Sequence, residues 1–191
     1  MSLVGTAPDP SGRILMINGS PSRVSKTAAV VRVLAERLAA AGAAVDIVSV
    51  RDFPAEELAF GNAESPAIRR FLEFVALSRA IVVATPIYKA SYTGVLKALL
   101  DTIPPGSFAN KTVLPLATAG TLAHYLALDY ALRPVLTFLG ARDILPNLFL
   151  TDGSFQDALM PVFDDAIEER IGALVRALLA AVASDSLQAL K

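Results

Sequence analysis

The sequence contains no cysteine, no tryptophan and one histidine among its 191 residues. Without cysteine the chain cannot form disulfides, bind iron–sulfur clusters or zinc through thiolates, or use a thiol nucleophile. One histidine leaves little basis for a histidine-based metal site, so we expect no metal. The 17 Lys and Arg residues nearly balance 18 Asp and Glu, for a net charge of −1, so the basic surplus typical of nucleic-acid binding is missing.

Long apolar runs are also missing, although 54% of the residues are hydrophobic. A membrane-spanning helix needs about 20 mostly apolar residues. The longest charge-free stretch, 112–128, is interrupted by proline, glycine and histidine, and residues 1–12 lack the features of a signal peptide. We therefore expect a cytoplasmic protein with no membrane partner. We interpret residues 1–12 as a flexible leader, 13–183 as a single domain and 184–191 as a tail.

Short apolar runs alternate with segments of helical periodicity along the whole chain. The predicted strands are 13–17, 45–50, 80–84, 112–117 and 144–150. The predicted helices run from Ser25 to Gly42, over 68–75, 92–102 and 122–139, and from Leu159 to Leu178, with Pro134 interrupting or kinking the fourth. Runs rich in Val and Ile are typical of parallel strands buried on both faces. The pattern predicts an α/β fold, with a flavodoxin-like five-stranded parallel sheet of order 2-1-3-4-5 and helices on both faces.

In such a sheet a ligand binds at the carboxyl ends of the strands, where the strand order reverses. The loops after Ile17, Ala84 and Ala117 should meet there. The first of these, 19–27, has four hydroxyl residues and two cations before a helix N-terminus, a setting that favours an anion. It has neither a G-x-G-x-x-G fingerprint nor Walker A spacing. Ser25 could equally be a plain helix N-cap that needs no ligand.

The other two loops suit a flat ligand. In the second loop, Tyr88 and Tyr92 could form an aromatic platform and Gly94 permits close backbone approach, although the tyrosines could simply be packing residues. The third loop has small residues, so backbone N–H groups could reach the edge of a ligand. His124 is more typical of a helix start than of a catalytic site.

Together these loops resemble the NADPH-dependent FMN reductase family. The likeness rests on Gly19-Ser20-Pro21 with Arg23 and Ser25, on 85–89 with Gly94 and Leu96-Lys97, and on 116–121 with His124. Segments 129–136 and 145–146 extend it, so that it covers about residues 14–152. The stretch 116–136 most resembles the sulfonate-utilisation type, the reductase partner of two-component alkanesulfonate monooxygenases.

The resemblance implies a role for each matching residue. The FMN phosphate would be held by Ser20, Arg23, Ser25, Lys26 and Thr27. The isoalloxazine and ribityl would be lined by Pro86, Ile87, Tyr88, Lys89 and Ala90, and the polar edge of the ring by Thr118, Gly120 and Thr121. No residue is assigned a catalytic role, since the flavin carries the chemistry, and His124 and Tyr130 are modulators at most. Relatives more often have Gly-Gly at 119–120, so Ala119 would be strained if that position needs a positive φ.

The implied activity is hydride transfer from the nicotinamide of NADPH or NADH to N5 of FMN, with reduced FMN supplied to a partner monooxygenase in sulfonate or sulfur assimilation. One alternative is a quinone, azo-dye or chromate reductase that retains FMN. Another is a flavodoxin-type electron carrier, although such carriers are usually strongly acidic. A third is a phosphate-binding or regulatory module without flavin.

The predicted helix 122–139 is apolar nearly all round. A helix that faces only its own sheet needs one apolar stripe, and larger exposed apolar patches mark interfaces. The sequence therefore predicts a homo-oligomer, a dimer or a dimer of dimers, with the flavin sites near the subunit interface.

Overall fold

The computed structural model describes residues 12–62, 64–157 and 160–183, and its centre is a parallel sheet. The strands are β1 Arg13–Asn18, β2 Ala44–Ser49, β3 Ser78–Pro86, β4 Thr112–Ala119, β5 Asp143–Ile144 and β6 Leu148–Thr151. Their order is β2-β1-β3-β4-β5, and β6 also pairs with β4. The predicted α/β fold and strand order are confirmed. Apart from Gly12, the predicted leader and tail lie outside the described residues.

Helices cover both faces of this sheet. They are α1 Lys26–Ala40, α2 Ala55–Ala59, α3 Pro66–Leu77, α4 Gly94–Leu100, α5 Arg133–Phe138 and α6 Asp165–Ala183. On β1, Ile14 and Met16 pack into the core beneath α1 and α6, whereas Leu15 and Ile17 pack into the core beneath α3, α4 and α5. All four side chains are fully buried, which explains why the strand is apolar at each position from Ile14 to Ile17.

The segment predicted as one helix over 122–139 forms three shorter pieces. A 3₁₀ turn at Leu122–His124 and a π-helix at Leu128–Leu132 precede α5. Pro134 lies in the first turn of α5, which directly continues the π-helix that ends at Leu132. The segment is therefore not one regular helix, and its geometry changes beside Pro134, where the sequence predicts an interruption or a kink.

The predicted fifth strand, 144–150, is interrupted. Thr112 pairs with Asp143, but Leu116 pairs with Leu148, so the edge chain has one residue more than β4 between these pairs. Pro146 lies in the interruption and has no N–H to donate to the ladder, which an edge strand tolerates.

The last helix begins later than its apolar pattern suggests. Leu159 lies outside the described residues, and Val162 and Phe163 precede α6. A two-stranded hairpin of β7 Phe155–Asp157 and β8 Met160–Pro161 occupies part of the preceding segment. The sequence did not predict this hairpin, because its strands are only three and two residues long.

Candidate functional site

A cleft of about 280 Å³ lies at the carboxyl ends of β1, β3 and β4. Its lining residues are Ser20, Ser22, Val24, Ser25, Lys26, Thr27, Pro86, Ile87, Tyr88, Thr118, Ala119, Gly120 and Asp152. The three loops predicted to meet at the reversal of strand order therefore do line one cleft. A larger groove of about 510 Å³ lies beside β2 and α3, away from this point.

The first loop leaves β1 in tight contact with β3. The Gly19 amide donates to the Ala84 carbonyl at 2.7 Å, and the Thr93 hydroxyl donates to the Gly19 carbonyl at 2.7 Å. A Cβ on Gly19 would lie 2.8 Å from Leu96 Cδ2 and 2.9 Å from the Ala84 oxygen. Only glycine fits there, and the close contact of Gly19 with β3 and Leu96 fixes where the following loop leaves β1.

The same loop brings hydroxyl groups to the start of α1. Ser25 caps the helix by accepting from the Ala28 amide at 3.2 Å, and Ser20 Oγ accepts from the Ser22 amide at 3.3 Å. The first turn of α1 contains Lys26 and no acidic residue. The first amides of a helix have no partner within the helix and the dipole is positive there, so this end of the cleft suits an anion.

The second loop contributes an apolar wall and a strained turn. Pro86, Ile87 and Tyr88 line the cleft, and the Tyr88 ring is half exposed. Tyr88 and Ser91 exchange backbone hydrogen bonds across Lys89 (φ 51°) and Ala90 (φ 62°). Left-handed φ values at two residues other than glycine cost of order 1 kcal/mol each. Both residues are exposed and lie outside the cleft lining, next to Tyr88, and their predicted contacts with the flavin stay predictions.

Tyr92, the other aromatic residue of this loop, packs against the core beside α4. Burial raises the pKa of its phenol above the ordinary value, so the side chain stays neutral. Tyr92 does not line the cleft.

The third loop forms the floor of the cleft. The Thr118 hydroxyl and the Thr27 hydroxyl share a buried hydrogen bond of 2.6 Å, which joins the end of β4 to the first turn of α1. The φ of Ala119 is not positive, so alanine is not strained at this position. A Cβ on Gly120 would meet nothing within 4 Å, so the cleft is open above this backbone.

Four residues of the lining were not assigned by sequence reasoning: Ser22, Val24, Ala119 and Asp152. Asp152 adds a charge, since its carboxylate lies 2.8 Å from the Lys26 ammonium. Asp152 directly follows β6. Since ligands bind at the carboxyl ends of the strands in such a sheet, its position after the last predicted strand could have identified it.

Six residues carried over by the resemblance lie outside the cleft lining: Lys89 and Ala90 of the second loop, and also Arg23, Thr121, His124 and Tyr130. Arg23 and Thr121 are exposed on loops that contribute other residues to the lining. His124 ends the 3₁₀ turn after the third loop, and Tyr130 lies in the π-helix with 77% of its side chain exposed.

The described ranges include no helix with the length and apolar character needed to cross a membrane. Within the same ranges, no three His, Asp or Glu side chains are grouped closely enough to hold a metal ion.

Comparison with known proteins identifies the family. Residues 12–156 match the model of the NADPH-dependent FMN reductase family. The chain is 40% identical over 161 residues to an FMN reductase (NADPH) of Pseudomonas putida, covering 83% of this chain and 82% of that one. It is 40% identical over 145 residues to an FMN reductase (NADPH) of Escherichia coli, covering 76% of each. The apo structure of an NADH:FMN oxidoreductase (EMOB) superposes with a TM-score of 0.82 at 34% identity, covering 91% of each chain. The loops that line the cleft fall within the matched region, and the chain is an enzyme of the NADPH-dependent FMN reductase family.

Proposed function

We propose that the chain binds FMN in the cleft at the reversal of strand order and reduces it with NADPH. One observation carries this proposal: a single cleft is lined by a loop at the N-terminus of α1 that suits an anion, by an apolar wall and by accessible backbone near Gly120. FMN has a phosphate at one end and a flat, polar-edged ring at the other, so the two ends of the cleft match the two ends of the ligand.

The loop 20–27 fits the phosphate. Ser20, Ser25 and Thr27 line this end of the cleft, and Lys26 brings an ammonium group at the start of α1. Hydrogen bonds from hydroxyls, helix amides and an ammonium group to a phosphate are charge-assisted and strong. These residues would bind and orient the phosphate end.

The second and third loops fit the ring. Pro86, Ile87 and Tyr88 would pack against its apolar surface, and the backbone near Gly120 would approach its polar edge. When bound, FMN supplies an acceptor at N5 for the hydride of a nicotinamide. The protein has to hold the ring and exclude water from one side, so the proposal needs no acid, base or nucleophile from the chain.

The test is oxidation of the nicotinamide cofactor, followed by its absorbance, with NADPH and NADH in parallel. We expect steady oxidation of NADPH that depends on added FMN. If neither cofactor is oxidised when FMN is present, the proposal is wrong. Protein that stays yellow after dialysis would instead support a reductase that retains FMN, and binding of FMN without oxidation of NADPH would support an electron carrier.

We further propose that the reduced FMN passes to a two-component monooxygenase of sulfonate metabolism. The support is the resemblance of 116–136 to the sulfonate-utilisation type, together with a cleft that lies open at Gly120. Oxidation of an alkanesulfonate in a coupled assay with such a monooxygenase would test this step. A rate no higher than with chemically reduced flavin alone would contradict direct supply.

Arg23→Ala should weaken FMN binding with little loss of folded protein. Arg23 is exposed on the loop that would hold the phosphate, so its removal takes a cation from that site and leaves the core intact. The expected loss is about two- to fivefold in affinity, the range of an exposed ion pair. Titration of flavin fluorescence measures it, and unchanged affinity would remove Arg23 from the site.

We also propose that the protein is a homo-oligomer built on the segment after β4. Leu122, Leu126, Tyr130 and Phe138 are 55–77% exposed there. Apolar side chains grouped in one exposed segment mark an interface. Light scattering at micromolar concentration should give a dimer or a dimer of dimers.

The variant Leu126→Glu should shift this assembly towards the monomer, because it places a charge in the contact. Phe60→Glu is the matched control, since Phe60 is 85% exposed directly after α2 and lies outside this segment. A wild-type monomer, or equal dissociation by both variants, would contradict the proposed interface.

A further inference from the structure

Asp152 places a negative charge in a cleft that would otherwise suit an anion. Its carboxylate lines the cleft together with Ser20, Ser25 and Thr27. Asp152 Oδ1 lies 2.8 Å from the Nζ of Lys26, the first residue of α1. The ammonium group that would bind a phosphate therefore already has an anionic partner.

The surroundings hold this ion pair in place. Asp152 begins the 3₁₀ turn Asp152–Ser154 directly after β6. It therefore lies at the carboxyl ends of the parallel strands, where α1 also begins. The Phe155 ring lies 5.3 Å from the Lys26 Nζ, close enough for a cation–π contact. Lys26 thus has two partners in the chain after β6, the Asp152 carboxylate and the ring of Phe155 at the start of β7.

We infer that Asp152 is a specificity-determining residue that lowers the affinity of the cleft for the phosphate of flavin, so that FMN exchanges as a substrate. The inference rests on the proposed function. A phosphate bound at the start of α1 would share the cleft with the Asp152 carboxylate, and like charges repel. It would also compete with that carboxylate for Lys26. Because 59% of the Asp152 side chain and 31% of the Lys26 side chain are exposed, water screens both effects and the change should be moderate.

The test compares two flavins that differ only in the phosphate. In Asp152→Asn, the affinity for FMN should rise by about fivefold, whereas the affinity for riboflavin should not change. Both are measured by titration of flavin fluorescence on the purified full chain. The gain for FMN should shrink as salt is raised to about 1 M, where the screening length falls to about 3 Å.

Asp101→Asn is the matched control. Asp101, the residue directly after α4, pairs with Lys97 of α4 at 2.5 Å, with side-chain exposures of 57% and 43%, and it does not line the cleft. The variant removes the same charge from a similar lysine pair, so it should leave the affinity for both flavins unchanged. If it tightens FMN as much as Asp152→Asn does, the effect is one of net charge and the inference is wrong.

Two further results would overturn the inference. Unchanged or weaker FMN binding in Asp152→Asn would mean that Asp152 does not oppose the phosphate and instead orients Lys26 towards it. Equal tightening of FMN and riboflavin would mean that the carboxylate acts on the ring and not on the phosphate. Asp152→Ser is the second variant in case Asp152→Asn does not fold. A wild-type chain that oxidises no NADPH with FMN would contradict the proposed function itself. This outcome is distinguished from failure of the inference, because it concerns NADPH oxidation and the others concern flavin affinity.

Discussion

Gly19→Ala should destabilise the protein by about 1–3 kcal/mol, the range for forcing an extra group into a packed core. The new Cβ would lie 2.8–2.9 Å from two atoms of Leu96 and 2.9 Å from the Ala84 carbonyl oxygen. Leu96 is fully buried, and the Ala84 oxygen is already bonded to the Gly19 amide at 2.7 Å, so neither neighbour can move away without cost. Chemical denaturation should show a lower midpoint with an unchanged slope.

Gly94→Ala is the control for this experiment. Gly94 is the first residue of α4, its φ is not positive, and a Cβ there would meet nothing within 4 Å. Alanine is the better helix former, so we expect a change within about 0.5 kcal/mol of the wild type, if anything towards higher stability. A Gly19→Ala protein as stable as Gly94→Ala would show that the contact of β1 with Leu96 is not as tight as described.

Gly19 also illustrates what the sequence could and could not predict. The strand before it was predictable because a parallel strand buried on both faces has a continuous apolar run, as β1 has over 14–17 and β3 over 80–84. The strand order followed from the βα alternation and from the chirality of the connections. That Leu96 would fill the space beside Gly19 depends on how α4 packs on the sheet, and no local pattern carries that information.

The errors in the fold occur where one apolar pattern is compatible with several backbone geometries. Segment 122–139 has helical periodicity, but 3₁₀, π and α pieces all place apolar residues about three to five positions apart. Pro134 indicated that the helix geometry changes near it, but it did not indicate on which side of the proline the α-helix would lie. The extra residue between β5 and β6 changes the register by one position, which a run of apolar residues does not reveal.

For the candidate site, the loops were predictable and the individual contacts were less so. Thr118 directly follows the predicted strand 112–117, and Thr27 lies in the first turn of the predicted helix that begins at Ser25. Ser20 lies in the loop between the first predicted strand and this helix. Lys89 and Ala90 adopt positive φ without the glycine or asparagine that usually signals such a turn. Asp152 belongs to no motif and follows an irregular edge strand, so its charge in the cleft was missed. The binding roles of all these residues stay predictions.

Thr118→Val should destabilise the protein by about 1–3 kcal/mol, because it leaves a buried hydroxyl without its partner. Thr27 is fully buried and its Oγ1 lies 2.6 Å from Thr118 Oγ1. Valine keeps the size and branching of threonine, so the loss of stability reports the hydroxyl and not a cavity. The Thr118 carbonyl still accepts from the Ile87 amide at 2.9 Å, so the backbone contact between the loops remains.

A double-mutant cycle isolates the hydroxyl pair. With both threonines replaced by valine, neither position has an unsatisfied hydroxyl, so the double variant should be more stable than the sum of the two single changes predicts by about 1 kcal/mol or more. Chemical denaturation of the four proteins measures this coupling. Strict additivity would mean that water or another group satisfies each hydroxyl alone.

The same four proteins test whether the pair matters for the cleft. The hydrogen bond joins the first turn of α1, which would hold the phosphate, to the end of β4, which would hold the edge of the ring. If its role is only to stabilise the fold, FMN affinity should be similar in all four proteins under conditions where each is folded. If the two threonines bind FMN, as the proposed function places them, or if their hydrogen bond fixes α1 against β4, the double variant should recover stability without recovering FMN affinity. We expect the second result, because two valines can pack together but can neither hydrogen-bond to FMN nor form the directional bond between α1 and β4.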